Sequence, residues 1–480
     1  MASEAYATAR QMLTDLEAKR ISARELLAAH VARHEALAKT LNAVVATDFE
    51  HAEAAAKSID DARAHGAALG PLAGLPMTIK DGYDVFGMPA TSGNPAFIER
   101  AKDCNDAGLV ARTRKAGAVI WGKTNVPFML SDFQSYNAIY GTTNNPYDVA
   151  RTPGGSSGGA AAALATGMTP LEIGSDIGGS LRHPANFCGV CSLKPTWGVL
   201  PMQGHVPPPP GLDAEVDLGV GGPMARNVGD LKLLWDVLNE RAPVEMRPAK
   251  RGRIALWDEE AGWPLARAVK ERVDAAGEAF ERAGLRVERA KPKIDMVKMV
   301  ETYLDLLTPI IAAGFPDALL EKMAQTHEAD LAAVREGRDG TGEARYRLRV
   351  TAPAADILAA QRTRQAHKNA LAEFFENYDA ILMPITPIPA FPHDQSDPMN
   401  ARTIAVDGTA APYMSMLNWI ALATSLHAPA LAVPAGRTPE GLPVGVQLVG
   451  PSNGEDRLFD LAAAAEEILG GFSPPKLALP

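Results

Sequence analysis

The sequence predicts an α/β protein folded as one large domain, and two observations carry that prediction. Between residues 75 and 174 short apolar runs alternate with helical stretches, the rhythm of strands and helices layered on a common sheet. Strand-like runs then return near the C-terminus, so both ends of the chain supply one core.

The elements follow in order. Ser22 to Leu37 reads as an amphipathic helix, with Ser22 as N-cap and Leu26, Leu27, Val31 and Leu37 near one face. Ala54 to Ala68 continues an alanine-rich helical pattern, making residues 1–68 an N-terminal helical region. A core segment spans 69–230. In it Leu75 to Lys80 reads as a strand, Leu109 to Ala116 as a helix and Ala118 to Trp121 as a strand. Gly159 to Thr166 reads as a short helix and Leu171 to Gly174 as a further strand. Residues 201–222 break the rhythm. The run Pro207 to Pro210 forces an extended, exposed loop, either a linker or a rim over a pocket. Residues 245–375, rich in Ala, Glu, Arg and Leu, read as a helical insertion with one strand near Arg253 to Trp257. Residues 376–480 complete the core through strands at Ala380 to Met383, Ala430 to Val433 and Val444 to Val449, and a helix from Asp456 to Leu469. There is no internal repeat.

Composition narrows the function classes. A net charge of −10, with no Lys/Arg run, argues against a nucleic-acid partner, because phosphate neutralisation needs a basic face. Three cysteines, Cys104, Cys188 and Cys191, do not make a disulfide framework. Met1 to Leu13 lacks the apolar stretch of a signal peptide, and no run of 18 apolar residues predicts a membrane span. A cytoplasmic enzyme is the expectation.

Three segments carry chemistry: Ile79-Lys80-Asp81, Gly154 to Gly159 (GGSSGG), and Ser175 to Ser180 (SDIGGS). In the last, two glycines precede Ser180. They permit close approach of a substrate and unusual backbone angles. The amides of Ile177, Gly178, Gly179 and Ser180 can then converge as an oxyanion hole, beside a hydroxyl able to attack the same carbonyl. That hydroxyl needs a base. No histidine lies in a comparable glycine-rich setting, whereas Lys80 ends an apolar strand, where burial would lower its pKa. Ser156, flanked by glycines before a helix, could pass the proton between them. Singly, each signal has a plain structural reading: GGSSGG as a linker, Lys80 as a surface charge, Ser180 as a turn residue.

Taken together, the segments are similar to those of the amidase signature family. The resemblance runs through Gly154 to Gly159, Gly174 to Arg182, Pro184-Ala185, Cys188 to Val190 and Leu193 to Thr196. It includes Gly74-Leu75-Pro76 to Lys80-Asp81, Gly122 to Asn125 and, more loosely, Gly441 to Gln447. It implies the amidase signature fold, a mixed central β-sheet covered by helices on both faces. It also implies a Ser-Ser-Lys triad, placing the nucleophile at Ser180, a cis-serine relay at Ser156 and the base at Lys80. The implied reaction is hydrolysis of amide-type C–N bonds through a covalent acyl-enzyme, with no metal or organic cofactor. Asp176 and Arg182, with Ser157, are expected to brace the loop.

The segment from Phe128 to Asn137 is expected to line the pocket. Phe128, Met129, Leu130, Phe133 and Tyr136 would be its apolar and aromatic wall, and Asp132 and Gln134 its polar groups. Such a pocket favours aryl or aliphatic amides, with carbamates (urethanes) and esters close behind. The alternative is the amidase component of a tRNA-dependent amidotransferase complex. Against it, Thr196 is followed by Trp-Gly-Val-Leu-Pro and the proline-rich loop, where a serine-rich segment would be expected. The partner is thus a small-molecule amide or carbamate, with homodimerisation left open. Gly117 to Thr124 fits the phosphate-binding P-loop pattern formally, but its variable positions are a buried-strand run, Ala-Val-Ile-Trp. Cys188-Gly-Val-Cys191 has no second pair for zinc and reads as packing. His30 and His34 share a helix face without a third ligand.

Overall fold

The computed structural model describes residues 6–207 and 215–477, with the backbone alone at 101–103. Among the described residues one mixed sheet holds eleven strands. Across it they run Val44–Thr47, Val119–Thr124, Pro76–Lys80, Leu171–Asp176, Val220–Ala225, Cys191–Lys194, Ala430–Arg437, Pro443–Val449, Ala380–Pro384, Arg253–Leu256 and Arg286–Arg289. Pro76–Lys80 lies parallel to both of its neighbours, Val119–Thr124 and Leu171–Asp176. The centre, from Leu171–Asp176 to Ala380–Pro384, is antiparallel. The far edge is parallel again. Helices cover both faces, so the central strands are buried throughout rather than alternating.

A short first helix, Ala9–Glu17, precedes the helix Ala23–Leu41, which Ser22 caps in a reciprocal capping box with Glu25. The third helix, Phe49–Ala64, follows it. Between them Val44–Thr47 pairs with Val119–Thr124, so residues 1–68 are not wholly helical. Four residues wedged between two helices are too short to show a period of two. The 245–375 region likewise holds two strands, not one. Arg286–Arg289 forms the sheet edge, and its charged sequence, Arg-Val-Glu-Arg, hides it. The helices Met296–Ala312 and Ala354–Phe375 are the long members of that insertion. Of the proline run, Pro208 to Pro210 lie outside the described residues.

The strand at 119 runs on to Thr124, which disposes of the P-loop pattern. Lys123 is a buried strand residue whose amine donates to Asp81 Oδ1 (3.3 Å) and to the carbonyls of Tyr83 and Pro89 (2.7 Å each). Cys188 and Cys191 are buried free thiols. His30 is buried against the Leu26 carbonyl, and His34 packs on Trp121. No described helix is long and apolar enough to cross a membrane.

Candidate active site

Lys80 ends the strand Pro76–Lys80, and Ser175-Asp176 end the parallel strand beside it, so the chemistry gathers at the carboxyl ends of neighbouring parallel strands. The GGSSGG turn meets them from the start of the helix Gly158–Ala165, every residue of which is buried. Small residues allow that close seating. A Cβ on Gly155 would lie 2.4 Å from the Asp132 carbonyl oxygen and 2.6 Å from Gln134 N, so glycine is required there. The Gly155–Ser156 peptide is cis.

The Lys80 amine sits 2.8 Å from Ser156 Oγ, 2.8 Å from Ser157 Oγ and 2.9 Å from Ser175 Oγ. Its side chain is fully buried. Burial lowers its pKa to about 7, against the opposing pull of Asp176 and Glu172. Near neutrality a substantial fraction of such an amine is free base. Glu172, on the strand beside it, is held by Thr78 and Thr124 hydroxyls. Burial raises its carboxyl to about 8, with those hydroxyls working the other way.

Ser180 lies on the loop after Asp176. The Ser157 amide donates to the Ser180 carbonyl at 3.2 Å, joining the two serine segments. Among the described residues the Ser180 hydroxyl makes no hydrogen bond, so direct contact is seen between Lys80 and Ser156 but not between Ser156 and Ser180. Of the four amides expected to converge, Gly179 turns to Asp176 Oδ1 (2.9 Å). The Gly179 amide is therefore withdrawn from the oxyanion set. The amides of Ile177, Gly178 and Ser180 have no intramolecular acceptor among the described residues. Gly179 adopts φ +90°, and a Cβ there would lie 2.4 Å from His183 Nε2.

Asp176 also accepts from the Leu181 amide (3.1 Å) and is gripped by Arg182. Burial would raise its carboxyl, but the Arg182 charge and hydrogen bonds outweigh that and hold it below the usual carboxylate range. Arg182 is thus joined to Asp176, and through it to the Gly179 and Leu181 amides.

The Phe128–Asn137 segment lies against this turn, and its residues divide. Phe128 is exposed, and Met129 and Leu130 are half-buried with left-handed backbone. Phe133 is buried between His183 and Tyr413. The polar members are already occupied. Asp132 pairs with Arg402 (2.7 Å) and accepts from Tyr413 and Tyr136 hydroxyls. Gln134 exchanges hydrogen bonds with the Asp394 backbone and Tyr413. Asp132, Gln134 and Tyr136 therefore anchor the 394–413 segment, and their polar atoms are not free to face a ligand.

Glu172 and Tyr303 are neighbours of the site that lie outside the three motif segments, and Ser175, inside one of them, accepts from the Lys80 amine. Glu172 left a signal, a lone acid inside the apolar run Leu-Glu-Ile.

A family model described as Amidase matches residues 25–459. The chain belongs to the amidase family. Among its curated relatives, a component of the glutamyl-tRNA(Gln) amidotransferase of Salinispora tropica is 33% identical, over 95% of this chain and 96% of that one. The indoleacetamide hydrolase of Bradyrhizobium diazoefficiens is also 33% identical, over 94% of this chain and 84% of its own length. A solved bacterial aryl acylamidase superposes with a TM-score of 0.78 over 96% of each chain at 23% identity, a likeness of fold. Membership of the amidase family supports hydrolysis at carbon–nitrogen bonds.

Proposed function

We propose that this amidase-family chain is a free-standing hydrolase of amide-type bonds, with Ser180 as nucleophile, Ser156 as relay and Lys80 as base. The observation that carries the reading is the fully buried Lys80 amine 2.8 Å from Ser156 Oγ, with its pKa lowered to about 7. Neutral Lys80 takes the Ser156 proton as Ser156 takes that of Ser180. The relay needs one further hydrogen bond, from Ser180 to Ser156, which closes as the substrate carbonyl seats. Ser180 Oγ then bonds to the carbonyl carbon, and the oxyanion is received by the amides of Ile177, Gly178 and Ser180. The relay returns the proton to the leaving nitrogen, the C–N bond breaks, and water releases the acyl group by the same path.

Aryl and aliphatic amides are the proposed substrates, with carbamates and esters next. The reasons are the apolar Phe128, Met129, Leu130 and Phe133, and the lack of a free charged group among the polar residues of that segment. The second reading, a component of a tRNA-dependent amidotransferase, is favoured by the full-length similarity to such amidotransferase chains. The test is 4-nitroaniline release from a panel of nitroanilide amides and carbamates, wild type against Ser180→Ala. Release that vanishes in the variant supports the hydrolase. Folded wild type that cleaves no panel member, but releases ammonia from glutamine with a partner, overturns it for the second reading.

A further inference from the structure

Tyr303 lies on the insertion helix Met296–Ala312, far in sequence from the SDIGGS loop, yet its ring is fully buried and its hydroxyl donates to the Ile177 carbonyl at 2.6 Å. The peptide joining Ile177 to Gly178 is trans. In a planar trans peptide the carbonyl and the following N–H point in opposite directions. Fixing the Ile177 carbonyl on Tyr303 therefore fixes the Gly178 N–H on the other side. The loop is pinned from its other end as well, since Asp176 holds the Gly179 and Leu181 amides. Between these two pins lie Gly178 N–H and Ser180 N–H, both without an intramolecular acceptor among the described residues. A Cβ on Gly178 would meet Leu417 Cδ2 at 3.6 Å and the Tyr303 oxygen at 3.8 Å, ordinary contacts.

We infer that Tyr303 is a positioning residue for the oxyanion loop: through its hydrogen bond to Ile177 it aims the Gly178 amide at the developing charge, tying the insertion helix to the chemical step. The inference rests on the proposed role of Ser180 and its loop. Burial raises the Tyr303 phenol well above its ordinary pKa, so it remains a hydrogen-bond donor throughout the working pH range. Glycine leaves φ and ψ sterically permissive, so an external contact narrows the directions in which its amide can point.

The test is Tyr303→Phe, which keeps the ring and removes the hydroxyl, set beside wild type and Ser180→Ala. The probe is an alkyl fluorophosphonate, whose phosphorus is attacked by the serine oxygen with loss of fluoride, and the label is followed by intact mass. Removing one oxyanion donor outright costs about 10²–10³ in rate, so loosening one is expected to lower the maximal labelling rate about 10- to 100-fold, with the inhibitor's half-saturation concentration nearly unchanged. The pH midpoint of labelling should stay where it is in wild type, because Lys80 is untouched. Wild-type labelling rates in a folded Tyr303→Phe protein would overturn the inference, as would a loss expressed wholly in half-saturation. Labelling of Ser180→Ala at the wild-type rate would instead overturn the nucleophile assignment on which the inference stands.

Discussion

Arg182 grips the Asp176 carboxylate with two N–H bonds, Nε to Oδ2 and Nη2 to Oδ1, each 3.0 Å. Its other donors reach the Ile420 carbonyl (3.0 Å), Gln447 Oε1 (3.1 Å) and Thr424 Oγ1 (2.7 Å), so the buried guanidinium is satisfied on all sides. Asp176 in turn holds the Gly179 and Leu181 amides. Truncating one partner of a buried ion pair leaves the other charge stranded, at about 3–5 kcal/mol. Arg182→Ala should therefore lower unfolding stability by about that amount in urea titrations. Arg182→Lys should recover little of it, because an ammonium cannot reproduce the two-pronged contact. A wild-type midpoint for Arg182→Ala would show that the pair does not support the fold.

With Lys80 as the proposed base, its titration should set the pH dependence of activity. Its pKa is lowered, so the base form is present above about pH 7 and is lost to protonation below it. The value of kcat/KM should climb through about pH 7 and then level off toward alkaline pH. Lys80→Met should fall by about 10²–10⁴, the usual worth of a positioned base. Full activity maintained down to pH 5 would exclude Lys80 as that base.

Two glycines should behave oppositely. Gly155→Ala brings a Cβ to 2.4 Å from a backbone oxygen that cannot step aside. It should cost at least the upper end of the roughly 1–3 kcal/mol typical of overpacking. Gly178→Ala meets nothing closer than 3.6 Å and should melt within a few degrees of wild type while slowing turnover by crowding the oxyanion. Thermal melts of the two variants give the comparison directly.

The Asp132–Arg402 pair fastens the 394–413 segment to the body of the protein. Arg402→Ala should leave the central sheet intact but speed proteolytic cleavage within 394–413, mapped by mass spectrometry. Cleavage there at the wild-type rate would mean that Gln134 and Tyr413 suffice as anchors.

The α/β class, most strand positions and the three converging segments were legible because each is written locally, as a run of apolar residues or a cluster of glycines. What stayed hidden was mostly non-local. Val44–Thr47 is a strand by virtue of its pairing with Val119–Thr124, not its own four residues. Asp132 and Gln134 looked like pocket groups because their partners, Arg402 and Asp394, lie more than 250 residues away. The Gly179 amide looked available for an oxyanion until the fold put Asp176 Oδ1 in its path. Tyr303, likewise, is a helix residue whose meaning depends on where that helix docks.

The long reach of Arg182 bears on how the protein is made. Ile420, Thr424 and Gln447, three of its partners, emerge from the ribosome more than 230 residues after Ser180 itself. A nascent chain that has exposed the Ser180 segment still lacks the acceptors that hold Arg182. It also lacks the strand Pro443–Val449, which bridges two others in the sheet. Reactivity of the proposed nucleophile should therefore appear only once Gln447 has emerged, and abortive fragments cut short before it should be chemically silent.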